Sequence, residues 1–153
     1  MHETHQICTF HLGDLFFGVE VEKVQEVLRY QQMTPVPIVS KVVRGLINLR
    51  GQIVTAIDLR RRFLLPDADE GQLPMNVVVR TGDGPVSLLV DEIGDVMEVD
   101  DDCIESPPAT LRDVTRELVS SVYKLEGKLL LILDIDRAIN TVGGESRHHA
   151  TVN

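Results

Sequence analysis

Ile47–Leu59 reads INLRGQIVTAIDL, and Tyr123–Ile135 reads YKLEGKLLLILDI. Each places Leu, a charged residue and Gly ahead of an apolar run that ends at Asp: Leu49, Arg50, Gly51 and Asp58 in one, Leu125, Glu126, Gly127 and Asp134 in the other. A glycine between two apolar runs too short for helices marks a β-hairpin turn. The chain therefore writes one hairpin twice. A second superposition sets Phe10–Leu28 on Val79–Met97, where Gly13, Asp14, Val21 and Val27 meet Gly82, Asp83, Val90 and Val96. Two similar β units in tandem are the simplest reading. A unit of roughly 60 residues makes only a marginal core alone, so the two must share an apolar seam.

The remaining sequence fits this plan. Hydrophobic residues make up 43% of the 153, yet aromatics are 4% and Trp is absent, so Val, Leu and Ile build the core; such a core favours strands. Hairpins are expected at Ile7–Leu12/Phe16–Val21, Leu46–Leu49/Gln52–Leu59, around Gly82-Asp83-Gly84, and around Gly127. In VEKVQEVLRY, the spacing of Val21, Val24, Val27 and Leu28 predicts a short acidic helix. Pro35 and Pro37 break the chain after it, residues 65–74 (LPDADEGQLP) form a polar boundary loop, and short helices are expected at Leu111–Leu118 and from Ile135. The division is approximately 7–64 and 77–141, with room for the C-terminal segment to return to the first unit; residues 1–6 and 143–153 read as flexible tails.

Charge and motif content exclude several function classes. Twenty-four acidic against 15 basic residues give a net charge of −9, which opposes nucleic acid as a partner. The basic cluster Arg60–Arg62 reads as a solvated face. No apolar run has membrane-spanning length, and MHETHQICTF lacks the layout of a signal peptide, so no direct membrane insertion is expected. Cys8 and Cys103 form no CxxC pair and read as free thiols of a reducing cytoplasm. Asp100-Asp101-Asp102 lacks the glycine and distal glutamate of a calcium loop, and the histidines at 2, 5, 148 and 149 fall in the tails, so no metal is expected. His11 reads as a surface strand position. Asp58 and Asp134 occupy equivalent strand ends and read as turn or cap acceptors rather than a catalytic pair. There is no phosphate-binding glycine loop and no nucleophile elbow, so neither an enzyme nor a cofactor has an anchor.

The stretches VRGLINLRGQIVTAIDLRRRF, LLVDEIGDVMEV and LEGKLLLILDIDR, with FHLGDLFFGVEVEKVQEVL ahead of them, resemble the CheW family, the coupling proteins of bacterial chemotaxis. The resemblance runs from about Ile7 to Thr141. One departure is Thr55, where the family usually has proline; threonine restores a backbone N–H there.

This resemblance implies a mainly β fold of two SH3-like five-stranded barrels sharing a hydrophobic core, with short helices and no catalysis. It implies a cytoplasmic adaptor that binds the hairpin tip of methyl-accepting chemotaxis receptors and the regulatory domain of a CheA-type histidine kinase at receptor arrays. Carried over by position, Val24, Glu26, Val27, Gly45 and Arg50 face the receptor, and Leu46, Ile57 and Leu59 face the kinase. A CheW-like scaffold in a surface-motility or biofilm pathway is the alternative. A small hydrolase or ligand-binding barrel, the reading from another class, requires convergent polar groups in one pocket.

Overall fold

The computed structural model describes residues 3–37 and 41–140. The first half contributes β1 (Thr4–Leu12), β2 (Leu15–Glu20), a one-turn 3-10 helix (Val21–Lys23), β3 (Val24–Leu28), β4 (Val43–Leu49), β5 (Gln52–Asp58) and α1 (Leu59–Arg62). The second contributes β6 (Met75–Thr81), β7 (Gly84–Val90), β8 (Glu92–Asp100), a second 3-10 turn (Asp101–Cys103), β9 (Ile104–Glu105), α2 (Asp113–Leu118), β10 (Val119–Leu125) and β11 (Lys128–Leu133). Residues 135–140 are helical. The repeat seen in the sequence is thus a repeat of strands: β4 and β10 begin and end at superposed residues, and β1, β2 and β3 fall on β6, β7 and β8.

The strands form two sheets whose membership crosses the repeat. One has the order β8-β1-β2-β11-β10-β9 and the other β3-β6-β7-β5-β4. Each half keeps its first hairpin in one sheet and sends its third strand to the other. β8 pairs antiparallel with β1, and β3 pairs antiparallel with β6. Parallel pairings of β2 with β11 and of β5 with β7 complete the exchange. The sheets therefore do not divide the chain at residues 64 and 77. One sheet has five strands and the other six, and no strand pairing joins the two edges of either sheet into a closed barrel among the described residues.

Apolar runs follow from this layering. Strands with both faces covered carry continuous apolar residues instead of alternating ones. In β11, Leu131 and Leu133 face the shared core, while Leu130 and Ile132 face a smaller cluster with Ile7, Phe16, Val99 and Tyr123. In β6, Val77 and Val79 face the shared core and Val78 packs with Ile47, Leu49 and Val54. The shared core takes Phe10, Phe17 and Phe63 together with Leu88, Val90 and Leu118. Phe17 stacks near Phe10 at 5.7 Å and tilts onto Phe63 at 4.7 Å between centroids, the offset geometry aromatic rings prefer.

Several sequence expectations are corrected. The acidic helix over residues 21–28 is a 3-10 turn followed by strand β3, and the acidic segment superposed on it is strand β8. Thr4–Gln6 belong to β1 and are not a tail; residues 1, 2 and 141–153 lie outside the described part of the chain. β5, which carries Thr55, is an interior strand: Thr55 faces Leu46 on one side and Val86 on the other. His11 is half-buried, with its ring 4.8 Å from that of Phe16 and no hydrogen-bond partner at Nδ1. Cys8 is buried and Cys103 exposed, both free, and burial pushes the Cys8 thiol up.

The arginine cluster is committed to the fold rather than solvated. Arg60 donates through Nε and Nη2 to both oxygens of Asp91, at 2.7 and 2.6 Å, and Asp91 also accepts from the Gly13 N–H at 2.7 Å. This clasp ties α1 and β7 to the β1–β2 turn. Arg61 bonds Asp67 and the Lys41 carbonyl. Arg62 Nε reaches the Ala138 carbonyl at 2.8 Å, fixing the C-terminal helical turn. Asp58 and Asp134 do serve as caps, accepting from the N–H of Arg61 and of Arg137.

Two outcomes follow from this architecture. Burial alone would raise the Asp91 carboxyl, but the Arg60 and Gly13 hydrogen bonds and the neighbouring positive charge outweigh it and hold the group below its ordinary range. The clasp therefore contributes fully above the ordinary carboxylate pKa of about 4 and is lost as pH falls through the lower folded value. Asp91→Asn should cost about 3 kcal/mol at neutral pH, and thermal melts should show the gap from wild type closing below about pH 4. A gap independent of pH would refute the clasp. Second, a protease site inserted between Asp67 and Leu73 should yield halves that co-elute under native conditions after cleavage. Separation without denaturant would show that strand exchange does not interlock them.

Candidate functional site

The turn between β4 and β5 is a two-residue loop, Arg50-Gly51, with Leu49 opposite Gln52. Both residues have positive φ, 53° and 89°, the type I′ geometry whose twist matches that of the flanking strands. Glycine adopts it freely, whereas Arg50 is held there by its surroundings. Asn48 Oδ1 accepts the Gly51 N–H at 2.8 Å. The NLRG motif is thus an asparagine-braced turn that projects an arginine.

That arginine reaches across the sheet. β4 and β3 are the two edges of one sheet, yet Arg50 Nη2 forms a salt bridge with Glu26 Oε2 on β3. The sheet curls enough for its edges to meet through side chains. Leu28 of β3 joins Ile47 and Leu49 of β4, with Val54 and Val78, in one apolar cluster beneath the ion pair. The Arg50 side chain stays 71% exposed while Glu26 is 20% exposed. The pair therefore lies at the mouth of the curl, with the acid inside and the base outside. Val27 on β3 and Ile53 on β5 are exposed apolar neighbours of these residues in the chain, at 42% and 59%.

The other sequence-assigned residues divide by location. Pairing along β3 shifts register between Val24 and Glu26, leaving Gln25 as a bulge. Val24 packs against the shared core and Val27 is exposed on the edge strand, so the two lie on a strand and not on a helix face. Gly45 is buried in β4. A side chain there would strike the Thr34 carbonyl oxygen, 2.7 Å from the Cβ position, because residue 34 docks on β4 through paired backbone bonds with Leu46 at 2.8 and 2.9 Å. Gly45 therefore serves close packing. Ile57 and Leu59, assigned to the kinase, are 2% and 0% exposed in the shared core, and their side chains cannot meet a partner. Leu46 is half-buried.

Elsewhere, a cleft of about 300 Å³ lies under the 67–74 loop and holds Arg44, Asp58, Arg60, Arg61 and Asp91. Its arginines are all engaged by carboxylates: Arg44 by Asp58 at 2.9 Å, Arg60 by Asp91 at 2.6 Å and Arg61 by Asp67 at 3.1 Å. These groups brace α1 and the loop and do not converge on a space for a reacting molecule. Among the described residues, Glu3, His5 and Asp101 form a grouping of potential metal donors within 4.8 Å of one another, with His5 Nε2 2.8 Å from Asp101 Oδ1. His5 is thus a strand residue hydrogen-bonded to Asp101, not part of a tail. Sequence reading missed Asn48 and Ile53; an Asn three positions ahead of a turn glycine was the available signal for the first.

The chain is similar to known proteins in sequence and, for one of them, in structure. The chain is 31% identical to the chemotaxis protein CheW of Bacillus subtilis over 141 residues, covering 92% of this chain and 90% of the relative. It is 28% identical to that of Treponema pallidum over 143 residues, covering 91% and 84%. The crystal structure of the scaffolding protein TtCheW from Thermoanaerobacter tengcongensis superposes with a TM-score of 0.77 at 26% identity, covering 86% of this chain and 90% of that one. No helix among the described residues is long and apolar enough to cross a membrane. The family model for the CheW-like domain matches residues 6–143, nearly all of the exchanged-strand structure, and the chain belongs to that family.

Proposed function

We propose that the chain is a non-enzymatic adaptor that couples methyl-accepting chemotaxis receptors to a CheA-type histidine kinase. It acts in the cytoplasm, at receptor arrays on the inner face of the membrane. The observation that carries this reading is the Arg50–Glu26 pair at the mouth of the curled sheet, with Val27 and Ile53 exposed on the strands that supply it. A helical receptor tip needs an apolar surface and a few polar groups to fix its orientation. A guanidinium has five N–H donors. Glu26 engages one nitrogen of Arg50, and the outward donors remain to meet a receptor carboxylate or carbonyl. Glu26 thereby aims Arg50, and Val27 and Ile53 supply the apolar contact. Val24 and Gly45 act from beneath, one packing β3 onto the core and the other admitting the residue 34 segment beside β4. Kinase contact is assigned to the half-buried Leu46, with Ile57 and Leu59 fixing the strand that backs it.

Co-sedimentation with a receptor cytoplasmic fragment and the kinase tests the coupling directly: a ternary complex is expected, and its absence defeats the reading. A complex formed only with receptors of a motility or biofilm pathway would assign the same site to those partners. Arg50→Glu should weaken receptor binding by about tenfold or more, because a lost charge-assisted contact is compounded by repulsion from Glu26. Thermal stability should fall little, since an exposed pair contributes about 0–1 kcal/mol. The exchanged pair Glu26→Arg/Arg50→Glu should restore the ion pair but not receptor affinity. Recovery of binding in that variant would make the pair's role internal to this chain.

A further inference from the structure

β3 is an edge strand, so backbone pairing from β6 holds it on one side only. Side chains of β6 grip both of its ends. At the start, Arg80 Nη1 donates to the carbonyls of Glu22 and Val24, at 3.0 and 2.8 Å. Past the end, Asn76 Nδ2 donates to the Arg29 carbonyl at 3.1 Å. Asn76 is 1% exposed, and its Oδ1 accepts from Ser87 Oγ at 2.7 Å; Ser87 on β7 is fully buried. The serine thus fixes which way the asparagine amide points, and the asparagine fixes where the chain leaves β3.

The repeat within the chain provides the control. In the superposition of the two halves, Asn76 falls on Ile7, Ser87 on Gly18, Arg80 on His11 and Arg29 on Glu98. In the other sheet the Ile7 side chain fills the space that a β-carbon on Gly18 would occupy, and His11 Nδ1 has no partner. There the third strand, β8, runs through Glu98 to Asp100, whereas β3 stops at Leu28. The corresponding hairpin and a longer third strand are therefore built without a buried Asn–Ser pair, and the pair is present in the sheet that carries Glu26 and Arg50. Burying two polar side chains where isoleucine and glycine suffice opposes stability unless both are satisfied.

We propose that the buried Asn76–Ser87 pair, acting with Arg80, is the positioning device for the partner-facing strand. It sets the point where β3 ends and holds Glu26 and Val27 in place before a receptor arrives. This rests on the receptor reading given above. A strand fixed beforehand loses less freedom on binding, so its contacts appear more fully as affinity.

The test grafts the other sheet's solution: Asn76→Ile together with Ser87→Gly. Replacing both partners leaves no unpaired polar side chain inside the sheet, and the Arg29 carbonyl, on an exposed residue, keeps the Gln31 Nε2 donor at 3.2 Å, so the thermal midpoint should stay close to that of wild type. Amide exchange at residues 24–30 should accelerate about tenfold while β10 and β11 keep their protection, and the receptor-fragment Kd should rise about tenfold. Unchanged exchange in β3, or a Kd within twofold of wild type in a folded variant, overturns the proposal. Should the graft not fold, Ser87→Ala leaves Asn76 in place but unlocked, and about a threefold change in both readouts is expected; no change overturns it. If the wild type binds no receptor fragment, the receptor reading falls, and the exchange comparison alone decides whether the pair holds β3.

Discussion

The pairing of β8 with β1 and of β3 with β6 is the constraint on which the rest of the structure depends. Each half of the chain builds a first hairpin and then gives its third strand away. Two parallel pairings, β2 with β11 and β5 with β7, carry each half's last hairpin across as well. Every sheet therefore contains backbone ladders between the halves. The shared core inherits this mixing: Phe10 and Phe17 from one half pack with Leu88 and Val90 from the other. A half of about 60 residues buries too small a fraction of its surface to be stable alone. Interlocking supplies the missing partner without a second chain, and two small units become one cooperative body. The Arg60–Asp91 clasp and the grip of Arg62 on the Ala138 carbonyl add side-chain ties at the same seam.

Duplication leaves each structural position with an internal reference, and departures from it separate scaffold from specialisation. Gly51 and Gly127 both take positive φ at hairpin turns, so those glycines are scaffold. Arg50 falls on Glu126, Glu26 on Asp95, and Val27 on Val96. One edge therefore joins an exposed valine to a compensated ion pair. The equivalent residues of the other edge are an exposed valine with carboxylates at both positions. Asn76 and Ser87 against Ile7 and Gly18 extend the contrast into the interior. The order of strands is the same in the two copies, and the chemistry differs where a partner is expected in one.

What was legible in the sequence were features written locally. The four hairpins, their turn glycines and the cap roles of Asp58 and Asp134 follow from residues within about fifteen positions of one another, and the tandem repeat from comparing two such local patterns. The helix assigned to residues 21–28 failed for a physical reason. A bulge at Gln25 inserts one residue into β3, so Val24 and Val27 lie opposite Val79 and Val77, on the same sheet face, although they are three apart in the chain and differ in burial. A bulged strand therefore imitates helical spacing. Strand exchange was illegible because alternation tells which residues are buried, not which sheet a strand joins. The arginines failed similarly, since the partners of Arg60 and Arg62 lie 31 and 76 residues away. At the candidate site, Arg50 and Glu26 were identified through family resemblance. Burial then removed Ile57 and Leu59 as contacts and recast Gly45 as a packing residue.

An edge strand is a natural place for an adaptor's contact and also a hazard, because unpaired backbone invites pairing with any other edge. The two exchanged edges meet the hazard differently. β8 carries exposed Glu92, Asp95 and Glu98, and in a chain of net charge −9 such an edge repels copies of itself. β3 has Glu26 turned in and neutralised by Arg50, which lowers that repulsion where Val27 is exposed. Its ends are instead held by Arg80 and Asn76, so the strand cannot slide to pair promiscuously. Charge protects one edge and fixation protects the other. The fixed edge alone can afford an exposed valine beside a compensated charge, the combination that a specific protein partner requires.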